Sequence, residues 1–104
     1  MVKSFSTDNL ENHDLLPISF HLSQNYPNPF KDKTKIKYCI PYKTNVKIIV
    51  FDPKGNKIDT LLNEDKEAGT YEVEFNASEL LSGVCFYQLK TEDFTITKKM
   101  LLEE

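Results

Sequence analysis

The 104-residue chain is long enough for one domain and too short for two, and its apolar and charged fractions of 39% and 28% are typical of a soluble globular protein. The formal net charge of −3 argues against nucleic acid as the main partner, and no uncharged apolar run approaches the ~20 residues of a transmembrane helix. Residues 1–19 carry Asp8, Glu11 and Asp14 where a signal peptide needs an apolar core. The same residues have no clean period of 2 or 3.6, and the pattern changes at Phe20, so we expect a mobile linker over residues 1–19 and a folded domain over residues 20–104.

Alternating apolar and polar residues predict seven short strands from residue 20 onward. In chain order they cover residues 20–22, 34–40, 45–51, 57–62, 70–76, 84–91 and 94–102. The run at 45–51 is β-branched and nearly continuous, as expected for a central strand. No segment has a helical period long enough for the crossover helices of an α/β fold. The predicted fold class is all-β, an Ig-like or fibronectin-like antiparallel β-sandwich of about seven strands.

The connections between these strands have recognisable turn chemistry. A proline followed by Gly55 predicts a turn at residues 52–56, and Glu92-Asp93 predicts a tight hairpin. Residues 63–69 are acidic and polar, which predicts a loop, and residues 77–83 predict a single helical turn ended by glycine.

Residues 22–30, which we call the connector, cannot form a helix or a central strand. Pro27 and Pro29 fix φ and remove two backbone donors, and the asparagine before each proline is pushed toward extended or turn geometry. We expect a stiff segment that carries the chain from one sheet to the other, with the rings of Tyr26 and Phe30 buried.

The connector reads Leu-Ser-Gln-Asn-Tyr-Pro-Asn-Pro-Phe and resembles the opening of type A C-terminal sorting domains of the type IX secretion system, also called the Por secretion system. Later parts match in order, including Leu81-Ser82-Gly83, the 86–89 run and Lys98-Lys99-Met100, so the resemblance covers about residues 20–102. The residues that carry the family signature structurally are Asn25, Tyr26, Pro27, Asn28, Pro29, Phe30, Gly55 and Gly69.

The resemblance implies a non-catalytic C-terminal secretion signal, not an enzyme, that directs an upstream cargo protein across the outer membrane. A translocon and an outer-membrane shuttle protein would bind it, and a sortase would cleave it off in the linker before Phe20. The cargo, which would precede Met1, would pass through the periplasm to the outer membrane, the cell surface or the medium. The residues expected to be recognised by translocon and shuttle are Gly83, Lys98, Lys99, Met100 and Leu101.

Three departures from the family pattern stand out. Lys31-Asp32 follows Phe30 where relatives have Asn-Pro, Cys85 replaces a tyrosine, and the tail ends in Glu103-Glu104.

No catalytic constellation, metal site or cofactor is expected. His13 and His21 have no partner at metal-ligand spacing, and the acidic residues at 63–67 lack the spacing of a calcium loop. Alternation puts Cys39 on an outward face and Cys85 on an inward one, which favours two free thiols over a disulfide.

A second interpretation, from another class, is a fibronectin-like accessory module that binds carbohydrate or a protein surface. Tyr26, Phe30, Tyr42 and Phe94 would then form an exposed aromatic platform. For either class, an exposed last strand would offer its edge for strand addition or for self-association.

Overall fold

The computed structural model describes residues 16–77 and 83–103, and in these ranges all the regular structure is β. The strands are β1 His21–Leu22, β2 Lys33–Ile40, β3 Thr44–Phe51, β4 Lys57–Lys66, β5 Gly69–Asn76, β6 Gly83–Lys90 and β7 Thr95–Leu102. They form one sheet in the order β1-β2-β5 and another in the order β4-β3-β6-β7, with every pair antiparallel. The predicted all-β sandwich is confirmed.

The core follows the alternation of the sequence. Side chains of one parity along β2, β3 and β6 point between the sheets and are almost fully buried, while their neighbours point outward. The inward residues of these strands are Ile36, Tyr38, Ile40, Val46, Ile48, Val50, Cys85, Tyr87 and Leu89. The two inner faces therefore pack as one continuous hydrophobic cluster.

Both predicted hairpin turns are present. Gly55 has φ +91°, a conformation that glycine adopts without strain, and the Asp52 carboxylate accepts hydrogen bonds from the backbone N–H groups of Lys54 and Asn56. At the second turn, Thr91 N donates to Phe94 O at 2.8 Å.

The predicted loop at residues 63–69 is wrong over most of its length. β4 continues to Lys66 and pairs with β3 as far as Thr44, because charged side chains are acceptable, and protective, on an edge strand. The Lys66 ammonium lies 2.9 Å from a Glu64 carboxylate oxygen and 4.7 Å from the centre of the Tyr71 ring. The predicted helical turn at 77–83 falls mainly on residues 78–82, which lie outside the described residues.

The connector does not carry the chain from one sheet to the other, so that expectation is also wrong. β1 and β2, on either side of it, pair with each other in the same sheet. The connector instead returns along the open side of the sandwich and contacts both sheets.

Candidate functional site

One side of the connector extends the three-stranded sheet. Tyr26 and Lys35 exchange both backbone hydrogen bonds, at 2.9 and 3.0 Å, and Ser23 N donates to Lys37 O at 2.9 Å. The first half of the connector therefore lies along the edge of β2, beside the short strand β1.

The other side of the connector is attached to the last strand through Phe30. Phe30 N donates to Leu101 O at 3.0 Å, and Glu103 N donates to Phe30 O at 2.7 Å, so that Phe30 forms a parallel bridge with β7. The Phe30 ring is 2% exposed and meets the Phe75 ring edge-on at 6.1 Å. Phe30 thus joins the end of β7 to the core.

Two side chains of the connector extend this attachment along β7. Asn28 Oδ1 accepts a hydrogen bond from Leu101 N at 2.9 Å, and Gln24 Nε2 donates to Lys99 O at 2.6 Å. The outward backbone groups from Lys99 O to Glu103 N are therefore all hydrogen-bonded to the connector. The expectation of an exposed last strand is wrong for this half. Within β7, the outward backbone groups of residues 95–97 and the Lys99 N–H have no hydrogen-bond partner among the described residues.

The two aromatic rings of the connector have different environments. Phe30 is buried, as predicted, but Tyr26 is 81% exposed, so its predicted burial is wrong. Because Tyr26 pairs with β2 as a strand residue would, its ring stands on the outward side of the three-stranded sheet. It lies there beside a hollow lined by Lys35, Lys37 and Glu72.

A buried tyrosine ties the connector to the opposite sheet. Tyr87, on β6, is fully buried; its hydroxyl donates to Ser23 O at 2.6 Å and accepts from Asn25 N at 2.8 Å. The Asn25 side chain is also buried, and its amide donates to Pro27 O and to Thr34 Oγ1, both at 3.1 Å. Every one of these polar groups is paired, so the network stabilises one position of the connector.

Sequence reasoning missed this network. Tyr87 alternates correctly as a core residue, and Asn25 has the appearance of a turn residue before the prolines. Both interpretations are compatible with the sequence. The only signal in the sequence was the hydroxyl of Tyr87 among apolar inward positions. A buried tyrosine normally has a hydrogen-bond partner for its O–H group, so this position indicated a buried polar contact.

Alkaline pH is expected to destabilise the domain through its buried tyrosines. Burial raises the pKa of Tyr87 to about 12, against a smaller lowering by the Asn25 N–H, and burial together with Tyr71 and Glu64 raises the pKa of Tyr38 to about 12. Because the folded pKa lies above the usual value near 10, the stabilisation is complete below pH 10 and is lost as the pH rises toward 12. Urea unfolding between pH 8 and pH 12 should show a loss of about 2–3 kcal/mol for each group.

The control for this measurement is a pair of Tyr→Phe changes. Tyr87→Phe should cost about 1–3 kcal/mol at pH 8, because it leaves Ser23 O and Asn25 N unpaired, but should flatten the alkaline decline. Tyr26→Phe, at an exposed position, should change neither the stability at pH 8 nor its decline at alkaline pH. A stability that stays constant from pH 10 to pH 12 in the unaltered chain would contradict this account.

The five residues expected to be recognised lie on β6 and β7, but differ in exposure. Gly83 opens β6 with φ +86°. Met100 is fully buried, and Lys98 is half-buried on the inward parity of the edge strand. Only Lys99 and Leu101 direct their side chains to solvent, beside the residues that the connector holds.

The four aromatic residues of the proposed binding platform are not brought together, which corrects that interpretation. Phe30 is buried, and Phe94 stacks on Phe20 at 4.8 Å. Tyr42 lies at that same end of the sandwich, where its hydroxyl donates to Asp93 at 2.6 Å. Tyr26 is paired near the start of β2, on the order of 20 Å away along the strand direction.

The cysteines are placed as the alternation predicts. Cys85 is buried and Cys39 half-buried, and both are free thiols; burial raises the pKa of the Cys85 thiol. Within residues 16–77 and 83–103, no three His, Cys, Asp or Glu side chains are grouped so that they could hold a metal ion. The same ranges contain no helix with the length and apolarity needed to cross a membrane.

Fold and site together define a small β-sandwich module in which a proline-containing connector fastens the last strand to the body. The chain belongs to the family of secretion system C-terminal sorting domains: the family model matches residues 24–103, from the connector to the residue after β7. The resemblance to type IX sorting domains is thereby confirmed. No curated protein and no solved structure matches the chain. Domains of this family are generally non-catalytic, and they act as export signals toward the outer membrane or surface within a longer precursor.

Proposed function

We propose that this chain directs an upstream cargo protein across the outer membrane through the type IX secretion system and is then removed by the sortase of that system. The observation that supports this most directly is the extent of the family match. It begins at the connector and ends just after β7, the two segments that lie against each other in the fold. The part of the chain that carries the signature is thus a single structural unit.

Contacts with the translocon and the shuttle protein are proposed at the C-terminal end of β7. Lys99 and Leu101 have outward side chains, which supports direct contact, whereas Lys98 is half-buried. Met100 is in the core and Gly83 has positive φ, so both would act by shaping the strands that present the contact residues.

Sortase cleavage is proposed on the N-terminal side of Phe20. Phe20 packs against Phe94 and Tyr42, while upstream of it Leu16 is 61% and Ile18 96% exposed. A cut before Phe20 would therefore leave the packed aromatic cluster and the core intact.

An export assay tests the function. A fluorescent reporter directed to the periplasm, with residues 1–104 at its C terminus, should appear outside cells that have an intact type IX system. It should remain in the periplasm of cells that lack the translocon. Replacing Lys99 and Leu101 by glutamine should lower export without unfolding the domain, since both side chains are at the surface.

The matched control replaces Lys33 and Tyr26, also at the surface, by glutamine. Reporter that stays in the periplasm of the competent host, with the domain shown to be folded, would contradict the proposed function. If the variant at Lys99 and Leu101 is exported as well as the native chain, the proposed contact residues are contradicted and the proposed function is not.

A further inference from the structure

The outward face of the four-stranded sheet has an apolar centre. Phe51 of β3 lies directly opposite Phe86 of β6, and Val84 lies directly opposite Leu101 of β7. Residues opposite each other in an antiparallel pair project to the same side, and for these four it is the side away from the core. Leu101 is 38% exposed and the other three are half-buried. A solvated sheet face normally carries polar residues at such positions.

Four lysines share this face with the apolar centre, which Asp52, Gln88 and Thr97 also border. Lys47 and Lys90 are directly opposite each other on β3 and β6, Lys57 is opposite Phe51, and Lys99 is opposite Phe86. We call these lysines with the apolar centre the outer face. The ion pairs among the described residues involve other lysines. None of the four lysines of the outer face is therefore ion-paired with a carboxylate in that part of the chain. Like charges opposite each other destabilise a sheet, so the Lys47–Lys90 arrangement is not explained by folding.

The outward side of the other sheet has a balanced pattern. Lys35 and Lys37 of β2 lie opposite Glu74 and Glu72 of β5, and the Lys35 ammonium is 3.8 Å from a Glu72 carboxylate oxygen. Because the whole chain has a net charge of −3, the excess of lysine on the outer face is a local property of that surface.

We propose that the outer face is the docking surface for a protein whose contact region presents carboxylates around an apolar centre. An apolar centre with a charged rim is the usual arrangement of a protein–protein interface, and the lysines require acidic groups on the partner. A second copy of the chain does not fit, because two such faces would repel each other. Phe51 and Phe86 are half-buried in the sheet, which suits contact with a shaped protein surface better than insertion among lipids. That the partner is a component of the export machinery rests on the proposed function.

Lys90→Glu separates docking from folding. The change converts the like-charge pair with Lys47 into an opposite-charge pair, so the thermal midpoint should stay constant or rise. Export of the reporter should nevertheless fall about tenfold, because a carboxylate would face the acidic groups of the partner. Changing Lys47 and Lys90 together to glutamate restores a like-charge pair, and it should lower export further at a thermal midpoint near that of the native chain.

Lys33→Glu is the matched control. It has the same change in charge, but Lys33 lies on β2 opposite Asn76, on the other sheet, and export should be unaffected. Native export of the Lys90→Glu chain, or an equal loss for Lys33→Glu, would overturn the docking surface while leaving the sorting function in place. Failure of the native chain to be exported would instead overturn both.

Two measurements on the 104-residue chain test whether a lipid surface or a second copy of the chain binds the outer face instead. Binding to phosphatidylglycerol vesicles that Lys90→Glu abolishes and Lys33→Glu does not would assign the outer face to a lipid surface, against the proposal. A dimer in sedimentation experiments that Lys90→Glu dissociates would assign it to a second copy, also against the proposal. We expect the chain to be a monomer that does not bind the vesicles, and we expect Lys90→Glu, but not Lys33→Glu, to lower export.

Discussion

Ending the chain at Thr97 is expected to unfold the domain. The cut removes Met100 and Leu102, which are buried, and loss of a buried side chain of this size costs about 2–5 kcal/mol. It also removes most of the ladder between β6 and β7 and every hydrogen bond from the connector to β7. Because a domain of this size is stable by about 5–15 kcal/mol, we expect far-ultraviolet circular dichroism to show no cooperative unfolding transition.

The control ends the chain at Leu102. It keeps β7 and loses one backbone bond to the connector, from Glu103 N to Phe30 O, so its stability should fall by only about 1 kcal/mol. A cooperative transition in the Thr97 chain, within about 2 kcal/mol of the native one, would show that β7 contributes little to the fold.

This expectation limits what truncation can reveal about the sorting signal. A chain cut at Thr97 that is not exported has lost both its proposed contact residues and its fold. Met100→Pro has the same difficulty, because Met100 is in the core and pairs with Cys85 of β6. Exposed side chains such as Lys99 and Leu101 can be changed without this ambiguity.

Phe30→Ala is expected to destabilise the domain by about 3–5 kcal/mol. The ring is 2% exposed and packs against Phe75, and the cavity would lie where the connector meets β7. Urea denaturation followed by tyrosine fluorescence gives the free energy of unfolding. The same change should increase hydrogen exchange at the Leu101 amide, because its bond to Asn28 Oδ1 depends on the position of the connector.

Tyr26→Ala is the matched control, since it removes an aromatic ring from the same connector. Its side chain is 81% exposed, so the free energy of unfolding should change by no more than about 0.5 kcal/mol. Equal effects of the two substitutions would mean that the connector is not anchored through Phe30.

The strands and their inward faces could be predicted from the sequence because the signal is local. β2 alternates between lysines and buried residues along most of its length, and this period of two defines both the strand and its inward face. The turn at Gly55 and the opposite orientations of Cys39 and Cys85 follow from the same local rules. β4 was predicted too short because an edge strand can continue through acidic residues that have the composition of a loop.

The candidate site could not be predicted in the same way, because its contacts join distant segments. Tyr26 and Phe30 are similar aromatic residues in one short connector, and only the folded structure shows that Phe30 packs against Phe75 while Tyr26 stays exposed. The continuous apolar run of β3 predicted a central strand, and β3 is indeed paired on both sides. However, the run also makes the outer face partly apolar, and this consequence requires knowledge of which residues lie opposite one another.

The attachment of the connector to β7 also determines when the domain can form. Gln24 and Lys99 are 75 positions apart in the chain, so the bond between them closes almost the entire domain. Contacts of such long sequence separation form slowly and late in folding. During synthesis the connector emerges long before β7, and the Phe30 backbone has no partner on β7 until that strand has been made. The sandwich therefore cannot be completed before β7 is present. Folding of this module therefore reports that translation has reached the end of the domain.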